Sequence, residues 1–377
     1  MSNDDIYEKI RLSMNKGWPL KLPKEKSVLD ILKIIYAEEE DAKIVSVFDQ
    51  AMFDLKSPKK IAKITGIPLE KVIERCEAMV RRGVILKMGK KYGIFAAMPG
   101  LIEFYFIANE NEEEMKMGAK LLDESFGKIA PEWFASGYPF FRNLPSSSLK
   151  EKTIEIDEKI EDVGQKFLVY EDIEAYINRC TNITVVNCAC RTISDLLGDK
   201  CEKMTEDVCM ALNMAGDSLE PYGLGRKVSK EEALEIVKKC EDSGLIHTIN
   251  NASGPDAPMM ICNCCPCHCE VIKALKKFQN PSALARSNFK PVFNQENCVL
   301  CNKCIQICPM DALWHHYSHT GKNAEERVMF KENFCIGCGL CAHHCPKDAI
   351  KMIKAYNDIP EETILGMFQR VEETRGH

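Results

Sequence analysis

The chain has 377 residues, 45% of them apolar, and a formal net charge of −6. That length suggests two or three domains with ordinary cores, and the mildly acidic balance gives no overall nucleic-acid signal. Twenty cysteines are too many for a reduced protein without metal, and their CxC, CC and CxxC spacings are too close for a dispersed disulfide framework. No charged-then-apolar leader opens the chain, so no signal peptide is expected. No apolar run reaches about eighteen residues, so no membrane span is expected either. The expected compartment is the reducing cytoplasm.

Val28, Ile31, Leu32 and Ile35 stand at helical spacing, and Ile44, Val47, Phe48, Met52 and Phe53 predict a second helix over 40–55. Ser57-Pro58 is a cap followed by proline at the first helical position, opening a short helix that ends at Gly66. Pro68 opens a longer helix with Leu69, Val72, Ile73, Cys76 and Val80 on one face, closed by Gly83. Residues 84–87 and 91–95 flank a Met88-Gly89-Lys90 turn as a hairpin. This order over residues 25–97 resembles a winged helix-turn-helix. Eleven basic residues lie between Lys56 and Lys91, opposed by Glu70, Glu74 and Glu77. Winged helices that bind DNA place such charges at phosphates. The three glutamates on the second helix are poor neighbours for phosphate, so nucleic-acid binding is left open but not favoured over docking on an acidic partner.

Residues 98–150 read as an aromatic, proline-rich connector. It carries helix-like stretches at 101–109 and after Glu110, then Trp133, Phe134, Tyr138, Phe140 and Phe141 among three prolines. A second domain is expected over 151–288. Residues 167–170 read as a strand, 171–179 as a helix, and 183–186 as a strand running into Cys188-Ala189-Cys190-Arg191. On an extended backbone Cys188 and Cys190 face the same side and can share one metal. With Cys201 and Cys209, on helix or loop, they form C-x-C-x10-C-x7-C, the complement for one cubane or one tetrahedral zinc. Arg191 is a candidate hydrogen-bond donor to cluster sulfur, or else a surface ion-pair partner. Ser229 to Cys240 is a capped helix stopped by Gly244, and residues 245–249 form a strand whose His247 reads as structural.

Five cysteines then fall within eight residues: Cys262, Cys264, Cys265, Cys267 and Cys269, with His268 between the last two. Adjacent Cys264 and Cys265 point different ways, which suits two sites or an unusual cluster. The nine central thiols fit two cubanes, a cubane plus a zinc, a larger iron–sulfur cluster, or a cubane with an open iron. Cys76, Cys180 and Cys240 stand alone and read as packed thiols.

Two runs follow. Cys298, Cys301, Cys304 and Cys308 read C-x2-C-x2-C-x3-C before Pro309, and Cys335, Cys338, Cys341 and Cys345 repeat that spacing before Pro346. Two zinc sites would instead call for paired C-x2-C units. The doubled run over roughly 290–354 resembles the bacterial-type ferredoxin with two [4Fe–4S] clusters. The resemblance implies that Cys298, Cys301, Cys304 and Cys345 hold one cluster, and Cys335, Cys338, Cys341 and Cys308 the other. Asp311-Ala312-Leu313 and Asp348-Ala349-Ile350 occupy equivalent places after each run. Trp314–Lys322, with His315, His316 and His319, reads as a solvated loop or helix extension. Residues 359–375 read as an amphipathic helix.

The whole layout is similar to multi-cluster ferredoxin-like proteins of anaerobes. The expected fold is α+β and multidomain: a winged-helix-like domain (1–97), the connector (98–150), a mixed α/β cysteine-rich metal domain (151–288), a two-cluster ferredoxin domain (289–354) and a C-terminal helix (355–377). The expected function is iron–sulfur electron transfer with a partner oxidoreductase, using two [4Fe–4S] clusters and one or two further iron–sulfur clusters or zinc. The alternatives are an oxidoreductase with a catalytic metal centre at Cys262–Cys269, for which His247, His268 and Arg191 are candidate proton or anion groups, and a redox-sensing DNA-binding regulator. No Gly-rich dinucleotide motif follows a strand, so no flavin or nicotinamide site is expected.

Overall fold

The computed structural model describes residues 3–149, 169–219, 222–255, 257–317 and 326–376. Secondary structure is mixed helix and strand, an α+β chain. The N-terminal helices follow their local signals. Ser57 accepts a hydrogen bond from the Lys60 N–H to open the helix Pro58–Thr65, and Gly66 closes it at φ 74°. The helix Leu69–Arg81 buries Val72, Cys76, Met79 and Val80. The hairpin pairs β1 (Leu86–Met88) with β2 (Lys91–Gly93).

The helix expected over 40–55 stops early, as Glu39–Val45. Beyond it the backbone N–H groups of Ala51 and Met52 donate to Ser13 and Ile94 carbonyls, and Met52 takes φ 66°. Tertiary hydrogen bonds win over helical continuation there.

The connector is mostly helix. Ile102–Ala108 and the long Glu112–Trp133 bury Tyr105, Phe106, Leu122, Phe126, Ile129 and Trp133. Its end forms β3 (Phe141–Leu144), an edge strand of the central sheet, which therefore begins inside the stretch read as connector. Phe141, Arg142, Asn143 and Leu144 are all buried, and pairing with the strand Ile246–Asn250 satisfies the backbone groups that burial takes from water.

The central sheet has six strands in the order β3-β7-β8-β5-β4-β6, all neighbours antiparallel. Its members are β4 (Ile183–Val186), β5 (Cys209–Leu212), β6 (Arg226–Lys227), β7 (Ile246–Asn250) and β8 (Met260–Cys264). Residues 167–168 lie outside the described residues, and Val169–Glu171 is a 3-10 turn rather than a strand.

In the C-terminal part β9 (Phe289–Phe293) pairs with β12 (Ile350–Lys354), and β10 (Leu313–Tyr317) with β11 (Glu326–Phe330). Trp314–Tyr317, read as part of a loop or helix extension, belong to strand β10 of this second pair; residues 318–325, His319 among them, lie outside the described residues. The closing helix Ile364–Glu373 buries Met367, Phe368 and Val371, with Phe368 against Trp18 and Phe140. No described helix is long and apolar enough to cross a membrane.

Candidate metal centres

The two C-terminal cysteine runs adopt one repeated backbone. Leu300 and Gly337, Asn302 and Gly339, and Asp311 and Asp348 hold equivalent places, and all six have positive φ. The left-handed residues bend each run so that its thiols converge. In both runs the N–H four residues after the last cysteine donates to that sulfur: Ala312 to Cys308 and Ala349 to Cys345, each at 3.2 Å.

One cavity is lined by Cys298, Cys301, Cys304 and Cys345, with Val328 and Ile350 in its wall. The other is lined by Cys308, Cys335, Cys338 and Cys341, with Phe330 and Met352. These enclose about 410 and 370 Å³ of space, part of it open to solvent. Four converging thiols, apolar walls and N–H donors to sulfur fit a [4Fe–4S] cubane at each.

The nine central thiols divide six and three. Cys188, Cys209, Cys262, Cys264, Cys269 and Cys190 form a closed ring, each sulfur within hydrogen-bonding reach of the next. The sheet supplies three of them: Cys209 and Cys262 are register partners on β5 and β8, and Cys264 is two residues on, on the same face. Two helix N-termini supply the others. Cys188 caps Ala189–Leu196, Cys190 lies in its first turn, and Cys269 caps Glu270–Lys277. Cys190 is thus helical rather than extended, as the helix turn brings its thiol back beside Cys188. Both helix dipoles favour negative charge at the ring. Cys188 and Cys264, opposite one another, are held as thiolates well below the usual range because each accepts from two neighbouring thiols.

Cys201 leaves the C-x-C-x10-C-x7-C set. The chain turns at Gly198 (φ 83°) and carries Cys201 to Cys265, Cys267 and His268. The four ligand atoms there all lie within 4.8 Å of one another. Cys264 faces the ring and Cys265 this second group. Cys209, expected on helix or loop, opens β5 because hydrogen bonding to β4 and β8 flanks it. Cys76, Cys180 and Cys240 are buried apart from both groups; burial pushes the Cys76 and Cys240 thiols up to about 12.

Arg191 is 1% exposed and pairs with no carboxylate among the described residues, so the surface ion pair does not form. Its Nη2 donates to the Asn263 carbonyl at 2.8 Å and Nη1 to that of Met204. Burial alone would weaken its charge, but Cys188, Cys265 and Cys209 beside it raise its pKa instead. A buried guanidinium needs compensating negative charge, and here thiolates supply it.

The face of the sheet turned away from the ring carries residues with no motif signal. Asn263, between Cys262 and Cys264, meets His247 Nδ1 through its Oδ1 at 2.5 Å. His247 Nε2 lies 3.0 Å from Glu241. Glu241 accepts from the Ser147 N–H at 2.6 Å and the Ser147 hydroxyl at 3.0 Å, and the neighbouring Ser146 N–H donates to the Cys338 carbonyl at 3.0 Å. Glu241, His247 and Asn263 are each at most 1% exposed. Strand alternation places Asn263 opposite the ring thiols and is the one sequence signal that could have marked it. His343 and His344 add bonds from the second cysteine run to Asp242 (3.0 Å) and the Glu241 carbonyl (3.0 Å).

Beside the ring, Glu103 and Glu270 line a further cavity with Cys190, Trp133 and Phe126, similar in size to the two dicluster cavities. Burial raises Glu103 to about 7 despite a hydrogen bond from the Gly100 N–H at 2.7 Å.

Residues 291–352 match the family model of the 4Fe-4S dicluster domain. No curated protein and no solved structure matches the chain. The C-terminal segment is a ferredoxin-like iron–sulfur domain, and with the central cysteine cluster it supports iron–sulfur electron transfer as the class of function.

Proposed function

We propose that this chain is a multi-cluster iron–sulfur protein that passes low-potential electrons to or from a partner oxidoreductase. The observation that carries this reading is the buried succession Cys338, Ser146-Ser147, Glu241, His247, Asn263, which runs from the wall of one dicluster cavity to the backbone between two ring thiols. Cys298, Cys301, Cys304 and Cys345 hold one cubane; Cys308, Cys335, Cys338 and Cys341 hold the other. The ring holds a polynuclear thiolate centre, because six thiolates exceed the four that one cubane takes. Bound iron–sulfur clusters supply one-electron chemistry.

The chain's own residues bind, tune and position. N–H donors at Cys308 and Cys345 and the Arg191 charge near Cys188 favour the more reduced, more negative state. Glu241, His247 and the histidines of the second run fix the dicluster segment against the sheet. The layout is a winged-helix-like module over 1–97, a helical brace over 98–150, the cysteine-rich sheet to 288, the two-cluster domain over 289–354 and a closing helix. The N-terminal module docks a protein partner in the cytoplasm. Five of the eleven cations between Lys56 and Lys91 are engaged internally: Arg75 on Asp41, Arg82 on Glu114, Lys87 on Glu77, Lys71 on Glu74 and Lys56 on Asp54. That weakens the DNA-regulator reading, which needs cations free for phosphate.

The test is iron and acid-labile sulfide content of anaerobically purified protein, with EPR after dithionite reduction. More iron than the roughly eight atoms of two cubanes, with a reducible signal beyond the coupled pair, is expected. About eight irons and no further signal would remove the central region from the electron path.

A second reading, a catalytic centre fed by the dicluster domain, is favoured by the carboxylate-lined cavity that reaches Cys190. An EPR signal of the central metal that changes on adding cyanide would select it.

A further inference from the structure

We propose that Cys201, Cys265, Cys267 and His268 bind one zinc ion, structural and separate from the six-thiol ring. The inference goes beyond electron transfer and does not depend on it, since such a zinc would be present whether or not the ring carries electrons.

Spacing argues for a single ion. Zinc–sulfur bonds of about 2.3 Å in a tetrahedron place neighbouring sulfurs about 3.8 Å apart. Cys201 Sγ and Cys267 Sγ are 3.7 Å apart, and all four donor atoms lie within 4.8 Å. A four-iron cubane stands between its thiolates and spreads them to roughly 6 Å. Three thiolates and one imidazole are a closed tetrahedral set for zinc, with no position left for substrate.

The histidine argues for a ligand independently. His268 is 8% exposed, and its Nδ1 is buried without a hydrogen-bond partner. Its Nε2 lies 3.2 Å from the Asp199 carboxylate. A carboxylate on one ring nitrogen fixes the tautomer and leaves the other nitrogen free to ligate. The remaining charge is also met. Three thiolates around a dication leave one negative charge, and Arg191 reaches Cys265 from the buried side. The His268 N–H donates to Cys265 Sγ at 3.2 Å.

The position gives the ion its role. It ties the loop after the helix Ala189–Leu196, which carries ring members Cys188 and Cys190 at its start, to the turn between ring members Cys264 and Cys269. The Cys188 N–H donates to the Thr205 carbonyl at 3.0 Å in the same loop. A clamp there holds both sides of the ring in register.

The test is zinc and iron per chain in anaerobically purified full-length protein, with zinc X-ray absorption. One zinc, with three sulfurs at about 2.3 Å and one nitrogen at about 2.0 Å, is expected. Cys201→Ser should lower zinc at least tenfold and leave iron content and the dithionite-reduced dicluster EPR signal unchanged. Asp199 is 81% exposed, so Asp199→Asn keeps the fold even if Cys201→Ser does not accumulate. It should speed zinc release to a chromogenic chelator by about 10- to 100-fold. Wild-type protein without zinc, a Cys201→Ser protein that keeps zinc or loses iron, or an Asp199→Asn protein that releases zinc at the wild-type rate would each overturn the proposal.

Discussion

The Glu241 carboxylate and the His247 imidazole meet at 3.0 Å, each 1% exposed, at the seam between the dicluster segment and the central sheet. Burial alone would raise the Glu241 pKa; the His247 contact and the Ser147 N–H outweigh it and hold the carboxyl down at about 2. Removing one member of such a pair strands the other without compensation.

Glu241→Gln is therefore expected to cost about 3–5 kcal/mol, read as a lower urea midpoint by tryptophan fluorescence. The pH dependence has a defined sign. The folded pKa lies below the ordinary value of 4.5, so the stabilisation is complete above about 4.5 and is lost as pH falls toward about 2. Wild-type stability should fall across that window more steeply than that of Glu241→Gln. Parallel curves would show that the pair contributes nothing.

Gly337 and Gly339 have φ of 72° and 79°, and an added Cβ would meet Ser287 Oγ at 2.3 Å and Leu149 Cδ1 at 2.7 Å. Gly337→Ala should lose about one cubane's four irons, because the loop that gathers Cys335, Cys338 and Cys341 cannot close. Asn302→Gly, at the place in the first run that Gly339 holds in the second, should keep all iron and shift stability by about 1 kcal/mol or less. Iron analysis of the two variants checks the contrast.

Arg191→Met removes a positive charge beside the ring while keeping much of the side-chain volume. The reduction potential of the central centre should fall by on the order of tens of millivolts, with the dicluster potentials unchanged. Redox titration followed by EPR reads both in one sample. Equal shifts at all centres would show a general structural effect.

The Tyr222 hydroxyl accepts from the Lys87 N–H and donates to the Ile85 carbonyl, both at 2.9 Å, which pins the N-terminal hairpin to the central region. Tyr222→Phe should cost about 1–2 kcal/mol and speed proteolysis within residues 86–93. Unchanged cleavage there would mean that packing of the ring alone holds the hairpin.

Local signals made much of the fold legible. Ser57, Gly66, Ser229 and Gly244 mark helix ends because a side-chain cap or a left-handed glycine acts within a few residues of itself. The helix over 40–55 failed where local preference met a tertiary competitor, the carbonyls of Ser13 and Ile94. The ring-rich content of residues 98–150 signals packing against a domain, but it does not say that Phe141–Leu144 pairs with the strand Ile246–Asn250, a contact between residues about a hundred positions apart.

By itself the sequence determined the dicluster domain, since cluster ligation by a C-x2-C-x2-C loop is a short-range property that the spacing carries whole. It also determined that nine central thiols call for metal. Only the tertiary structure decided how those thiols divide, because strand pairing brings Cys209 to Cys262 while the turn at Gly198 takes Cys201 to Cys265, Cys267 and His268. It likewise decided that Arg191 is buried among thiols and that Glu241 meets His247. Those contacts join residues far apart in sequence, and burial, which no spacing encodes, is what gives their charges effect.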